Sequence, residues 1–372
     1  MRAVSDCSPA GSCWNTCHMA NDEESDAKGW DAIDRAVKPL YDSQKPLHYG
    51  TALPFMLGGK DPLQGISVYR RDDPIPHWHY ITYGFTELFA KDSSDPEISG
   101  YGFELTFRLQ RGDEDQPPVW AVSFLQNLGR YVFSTGNIFC SGHYLNCNGP
   151  IALDENTELC AALFVKDPEL PEIDGEYGKA EFLQVIGITP DEELAVKRWN
   201  SDGVIDLLRE QTPLLCTDLN RTSIVCDHEI AARIDQASKE EGSSTSVLFF
   251  PGIAFEPIGG TATEPTKALV RFGANQAGDF ALVLPARLLH NRSLTLASSG
   301  ETIEFVLADP CSFSHQDSLD RVSLTREAVM ELSKLVSPKA MDITPRAFPN
   351  LTIAIHKSEI RDHEGNVVKV IG

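Results

Sequence analysis

Residues 101–110, YGFELTFRLQ, decide what kind of fold this sequence can make. Tyr101, Phe103, Leu105, Phe107 and Leu109 fall on one side of an extended chain, and Glu104, Thr106 and Arg108 on the other. That period of two is a β-strand with an apolar and a polar face, and the expectation is one face on a core and one in water. Just upstream, residues 76–88 read PHWHYITYGFTEL. On a strand His77 and His79 share a face that continues through Ile81, Tyr83 and Phe85, a core-facing series.

Outward from this pair the punctuation is regular. Trp30, Ile33, Ala36, Val37, Leu40 and Tyr41 recur at helical spacing and predict a helix over 30–41. Gly58-Gly59 and Asp61-Pro62 mark a turn before a strand at GISVYR, 65–70. A helix over 120–133 places Ala121, Phe124, Leu125, Leu128 and Val132 on one stripe. After a turn-rich segment, 134–150, come strands at CAALFVKDP and KAEFLQVIGIT, then short helices at 190–200 and 201–211, the second capped by Ser201.

Residues 237–246, ASKEEGSSTS, carry no large apolar side chain and mark a break. Beyond it SVLFFPGIAF, TKALVRFGA, DFALVLPARLL, SLTLASS and ETIEFVLAD are short apolar runs that suggest mainly antiparallel sheet. LTREAVMELSKLV is a helix capped by Thr325 with Glu327 in its first turn, and LTIAIHKSEI would close the sheet. The reading is a mixed α/β protein of two domains, each a mixed or mainly antiparallel sheet packed with helices. The divisions are an acidic, disordered extension at 1–29, domains at 30–238 and 247–372, and a linker at 239–246.

Composition narrows the function. At 372 residues the chain fits about two domains, with 42% hydrophobic residues, enough for cores without staples. Asp and Glu outnumber Lys and Arg 54 to 32, a formal charge of −22. That balance argues against nucleic acid and anionic membranes and favours basic partners. No apolar window is long enough for a membrane helix and MRAVSDCSPAGSCWNTCHM lacks an apolar signal core, so the expected location is cytoplasmic. Nine cysteines in such a chain read as reduced thiols.

Candidate chemistry is sparse. Cys7, Cys13, Cys17 and His18 are spaced C-x5-C-x3-C-H, which matches no common zinc pattern. His77 and His79 could both reach one metal, but two ligands do not make a site, and packing is the plainer account. Cys140 lies three residues from His143 in FCSGHY, yet catalytic thiol–imidazole pairs meet in space rather than at a fixed local spacing. No G-x-S-x-G, H-E-x-x-H or phosphate-binding glycine loop is present. The expectation is no catalysis, no cofactor and no metal.

Taken together, LGGKDPLQGISVYR, IPHWHYITYGFTELF, GYGFELTFRL and GRYVFSTGNIFCSG resemble the ordered motifs of the Suppressor of fused family. The likeness runs on through FLQVIGITPDEEL, WNSDGVIDLLR, LLCTD and ARLLHNRSLTL. It implies a two-domain α/β protein without known catalysis, in which His77 and His79 are structural. In animals, members restrain transcription factors of the Hedgehog pathway by holding an extended peptide between the two domains. In bacteria such domains are associated with immunity proteins against polymorphic toxins.

Carried over motif by motif, the peptide-holding Tyr of the family matches Tyr131, whereas an Asp position is occupied by His143. An ungapped alignment from RLLH backward puts Asn275 and Asp279 where the family has Glu and Leu. The long regulatory insertion of animal members shrinks here to EPIGGTATEPTK, as in a bacterial-type member. The resemblance thus implies a non-catalytic, monomeric protein-binding module whose inter-domain cleft, near Tyr131, His143, Asn275 and Asp279, takes a segment of a basic protein. The leading reading is an immunity-type inhibitor of a toxin domain. The alternative is a negative regulator that sequesters a transcription factor, and the third is a metal enzyme built on His77, His79 and Cys140.

Overall fold

The computed structural model describes residues 27–51, 53, 55–261, 263–316, 319–361 and 365–372. Cys7, Cys13, Cys17 and His18, with most of the stretch expected as an extension, lie outside them.

The first half runs α1 (Lys28–Tyr41), β1 (Leu47–Gly50), β2 (Gly65–Arg71), β3 (His77–Tyr83), β4 (Ile98–Gln110), α2 (Val119–Thr135), β5 (Tyr144–Asn146), β6 (Ala161–Lys166), β7 (Ile173–Gly175), β8 (Gly178–Ile188), α3 (Pro190–Arg198), α4 (Ser201–Gln211) and α5 (His228–Glu241). Its strands form one mixed sheet in the order β1-β2-β3-β4-β8-β6-β5, with β7 paired to β8. The apolar side of β4 packs under α2, where Phe103, Leu105 and Phe107 meet Phe124, Leu125 and Leu128. Each such side chain contributes roughly 1.5–3 kcal/mol when buried. On the opposite face α1 lays Ile33, Val37 and Tyr41 over Tyr69, Ile81 and Tyr83. Helices α3, α4 and α5 cover the β6 end through Val196, Val204, Leu208 and Ile234.

The expected wet face of β4 is not wet: Glu104, Thr106 and Arg108 are each 0% exposed. Alternation reports that a face is polar, not that water reaches it, and here that face lies inside the protein. The histidine face also departs from expectation at its end. β3 stops at Tyr83, Gly84 turns with φ +138°, and Phe85 joins the α2-side core instead of following Ile81 and Tyr83. Helix α4 is capped not by Ser201 but by Asn200, whose side chain accepts from Gly203 N at 2.6 Å. Helix α5 had no apolar stripe wide enough to announce it, since it buries only Ile230, Ile234 and Ser238. It runs through residues 237–241, inside the stretch read as a break.

The second half runs β9 (Val247–Phe249), β10 (Ile253–Gly260), β11 (Pro265–Gly273), α6 (Ala274–Leu288), β12 (Leu294–Ala297), β13 (Thr302–Leu307), β14 (Ser312–Gln316), β15 (Leu319–Leu324), α7 (Arg326–Leu335), β16 (Met341–Ile343), β17 (Leu351–His356), β18 (Ser358–Arg361) and β19 (Val367–Ile371). Two sheets, β10-β11-β17-β16 and β14-β15-β13-β12-β9, enclose α6 and α7 in one apolar core, and β18-β19 is a separate hairpin. Both sheets are mixed: β11‖β17, β12‖β9 and β13‖β15 run parallel, and their other four pairings are antiparallel. β17 lies inside its sheet between β11 and β16, not at its edge.

DFALVLPARLL, expected as a strand, is the body of α6. Phe280, Val283, Leu284 and Leu288 are buried at helical spacing, and their burial outweighs the donor that Pro285 removes. Thr325 caps α7 as expected, accepting from Ala328 N.

Candidate functional site

The two halves meet where α3 packs against α6. Lys197 on α3 is buried, with Nζ 2.8 Å from Glu193 Oε1 and 2.9 Å from Asp279 Oδ2 on α6. Burial pulls its pKa down, but the carboxylates of Asp279 and Glu193 outweigh that and hold it above the ordinary lysine range. The same ammonium stands 5.8 Å over the Tyr144 ring. The connecting segment is fastened on both sides. Ser243 is fully buried, its Oγ donates to Lys197 O at 2.6 Å, and its carbonyl accepts from Arg287 Nη1 at 2.9 Å and Arg292 Nη1 at 3.1 Å. Ser244 N donates to Trp199 O at 2.7 Å.

Of the four residues expected to line the cleft, Asp279 is in the junction, committed to Lys197. His143 is exposed at the start of β5, next to Tyr144, with its carbonyl accepting from Phe164 N at 2.9 Å. Tyr131, on α2, stacks on Phe139 at 5.7 Å, and its hydroxyl accepts from Asn137 Nδ2 at 3.0 Å. Asn275 is exposed in the first turn of α6, one turn before Asp279. Among the described residues no hydrogen bond, ion pair or ring contact joins these four to one another directly. His143 and Asp279 share a neighbourhood through Tyr144 and Lys197, whereas Tyr131 and Asn275 flank it.

Backbone geometry adds what side-chain reasoning missed. β5 and β9 are edge strands of their sheets. In β5 the bonds from Phe164 N to His143 O and from Cys147 N to Cys160 O fix the ladder phase, so the N–H and C=O of Tyr144 and Asn146 face the open edge. In β9 the bonds from Thr295 N to Ser246 O and from Phe250 N to Ala297 O leave Val247 and Phe249 facing outward in the same way. The Phe249 side chain is 81% exposed. Asn146 Nδ2 on β5 donates to Glu193 Oε2 at 2.6 Å, and Ser243 and Ser244, just before β9, bond Lys197 and Trp199, so both edges lie at the junction. Their sequence signal was faint, since three-residue strands barely show alternation.

His77 and His79 are both buried, and His79 belongs to a polar network rather than to a surface site. Tyr41 OH and His79 Nδ1 share a short hydrogen bond, and His79 Nε2 stands 3.6 Å from Asp167 Oδ2, too far for another. Asp167 accepts from Arg108 Nη1 at 2.6 Å and Nη2 at 3.1 Å, and Arg108 Nη2 also reaches Glu169 at 3.0 Å. Burial, then the Arg108 charge, pushes His79 down to about 3. Asp167 is held well below the carboxylate range, burial being overruled by His79 and Arg108. Nearby, burial pushes Glu104 up to about 7 against hydrogen bonds from Thr82, Thr86 and Gly84. His77 Nδ1 donates to Ile75 O at 2.8 Å, and Cys140 meets His143 only through a backbone bond. No group of three His, Cys, Asp or Glu side chains suited to a metal occurs among the described residues, and no helix there is long and apolar enough to cross a membrane.

Comparison with known proteins bears on the whole arrangement. The family model for Suppressor of fused protein (SUFU) matches residues 59–222, most of the first sheet with α3 and α4. The Suppressor of fused homologs of Homo sapiens and Mus musculus are each 34% identical over 236 residues, 59% of this chain and 49% of theirs. The chain therefore matches about half the length of these curated relatives. The crystal structure of Drosophila Suppressor of Fused superposes with a TM-score of 0.74 at 22% identity, over 90% of this chain and 98% of that one, a likeness of fold. A chain of the Sufu-Fu complex superposes at 0.53 with 31% identity, over 57% of this chain and 97% of its own. Motifs, fold and sequence identity converge, and the chain belongs to the Suppressor of fused family.

Proposed function

We propose that the protein is a stoichiometric, non-catalytic binding module that takes an extended segment of a partner between β5 and β9. The observation that carries this reading is the pair of unpaired edges, one from each half, at a single junction. A strand inserted there would satisfy Tyr144 and Asn146 on one side and Val247 and Phe249 on the other, with His143 and Tyr131 available for side-chain selection. Asp279 acts indirectly in this account, by holding Lys197 and so the spacing of the edges. An Asp279→Arg variant would therefore disturb the junction itself.

For the partner, the 34% identity to the human and mouse homologs and the solved Sufu-Fu complex support a regulator that sequesters another protein. The formal charge of −22 supports a basic partner, and it is what favours the second reading, an immunity-type inhibitor of a basic toxin domain. Both use the same cleft, and the partner's identity separates them.

Phe249→Pro tests the cleft with little collateral damage, because it removes an outward N–H without touching the ladder to β12. Against a partner captured at 1:1, Phe249→Pro and Asn146→Pro should each weaken affinity about tenfold or more, with Phe249→Ala closer to wild type. Full affinity in both proline variants would remove the strand-insertion mechanism.

A further inference from the structure

The far end of the first sheet carries a second open edge that the cleft does not use. β1 pairs only with β2, and the bond from Thr51 N to Gln64 O fixes its phase, so the N–H and C=O of His48 and Gly50 face outward. Beside that edge, between β1 and α1, lies a cavity of about 370 Å³ whose walls include Trp30, Asp34, Asp42, His48, Tyr69 and Tyr83. Trp30 stacks on Tyr83 at 4.4 Å, and the His48 ring lies 5.6 Å from Trp30 and 6.1 Å from Tyr83.

Asp34 stands among these rings. It accepts from Tyr83 OH through Oδ1 at 2.8 Å, and its charge reaches Tyr69, Tyr83 and His48. Electron-rich ring faces around a carboxylate form an environment for an ammonium or guanidinium group. Lys38 lines the same rim, so the selectivity rests on Asp34 and Asp42 rather than on bulk charge. His48 connects edge and cavity. Its ring points to the α1 side, where Nδ1 meets Ser67 Oγ at 3.1 Å, so the residue opposite it in an added strand would project its side chain toward the same cavity.

We propose that the β1 edge and its aromatic cavity form a second docking site, which takes an extended segment of a partner protein carrying a lysine or arginine side chain. The chain's own first 26 residues are a poor occupant on charge, with Arg2 as their single Lys or Arg. The site is separate from the cleft and does not depend on that reading.

The test is selection of a random heptapeptide phage library on the full chain, with counter-selection on His48→Pro, which deletes the outward N–H. His48→Val, which keeps it, controls for the fold. The expected clones carry one Lys or Arg among β-formers and lose about tenfold in affinity on Asp34→Asn or when that residue is changed to norleucine. Clones without a cation, clones indifferent to Asp34→Asn, or no clones sensitive to His48→Pro would overturn the proposal. So would a dimer by sedimentation velocity that His48→Pro dissolves, since a second copy would then own the edge.

Discussion

The two halves solve the same packing problem with different chemistry. From residue 247 onward Arg287 is the only buried polar or charged side chain among the described residues, and one apolar cluster holds both sheets and both helices. The first half buries Glu104, Arg108, Asp167, His77, His79 and Gln184 inside its sheet layers. An apolar core is tolerant and pH-independent, whereas a buried ionic network is stable only while every member keeps its partner. The first half should thus be the part whose stability is conditional.

The sharpest way to break the comparison is to remove one partner. Arg108→Ala leaves Asp167 without its cation, while Glu169 keeps Arg71 at 3.3 Å, and should destabilise the first half by about 3–5 kcal/mol. Replacing both members, Arg108→Met with Asp167→Leu, should recover only part of that loss, because Thr106 Oγ1 and the Glu169 and Leu170 amides then lose the acceptor Asp167 provides. Phe280→Ala in the second half should cost a similar ~3–5 kcal/mol by cavity formation, but without pH dependence. All five tryptophans precede residue 200, so tryptophan-monitored urea unfolding reports on the first half, and backbone hydrogen exchange reports on both.

Acid sharpens the contrast next. His79 titrates at about 3 in the folded chain and near 6.5 when unfolded, so stability falls as pH drops from about 6.5 toward 3. Glu104 has the opposite sign: folded at about 7 and ordinarily near 4.5, it adds stability as pH falls from 7 to 4.5. The depressed Asp167 contributes stability above its unfolded pKa near 4, which is lost below it. Burial also depresses His77 and His48, which add to the loss below 6.5, so the first half should decline gently between about pH 6.5 and 4.5, with Glu104 offsetting part of the loss, and weaken steeply below. Glu104→Gln should steepen the decline that starts near 6.5. The second half should show neither feature.

A smaller effect is expected at the junction. Lys197→Met strips Asp279 and Glu193 of their cation and should speed hydrogen exchange at 243–249 while leaving both cores protected. The smallest is Asn200→Ala, which should lower stability by about 1 kcal/mol, with Ser201→Ala near neutral, separating the observed cap from the one expected.

The same contrast explains what the sequence could disclose. Elements with one apolar stripe were legible, among them α1, α2, α7 and strands β2, β3, β4, β6 and β8. α6 was not, because a proline and a dense apolar run hid a 3.6-residue period, and α5 was not, because its buried stripe is two isoleucines wide. The polar side of β4 misled since its partners, Asp167 and Glu169, lie about sixty residues away. Likewise nothing near Asp279 signals Lys197, 82 positions earlier. Edge donors on β5 and β9 are properties of ladder phase, which no residue type encodes.

Hydrogen–deuterium exchange of the full chain, free and with a partner captured at 1:1, decides whether one segment bridges the two edges. New protection is expected at Tyr144 and Asn146 together with Val247 and Phe249. Protection confined to one half, or lying elsewhere while these four amides exchange as in the free protein, would contradict it.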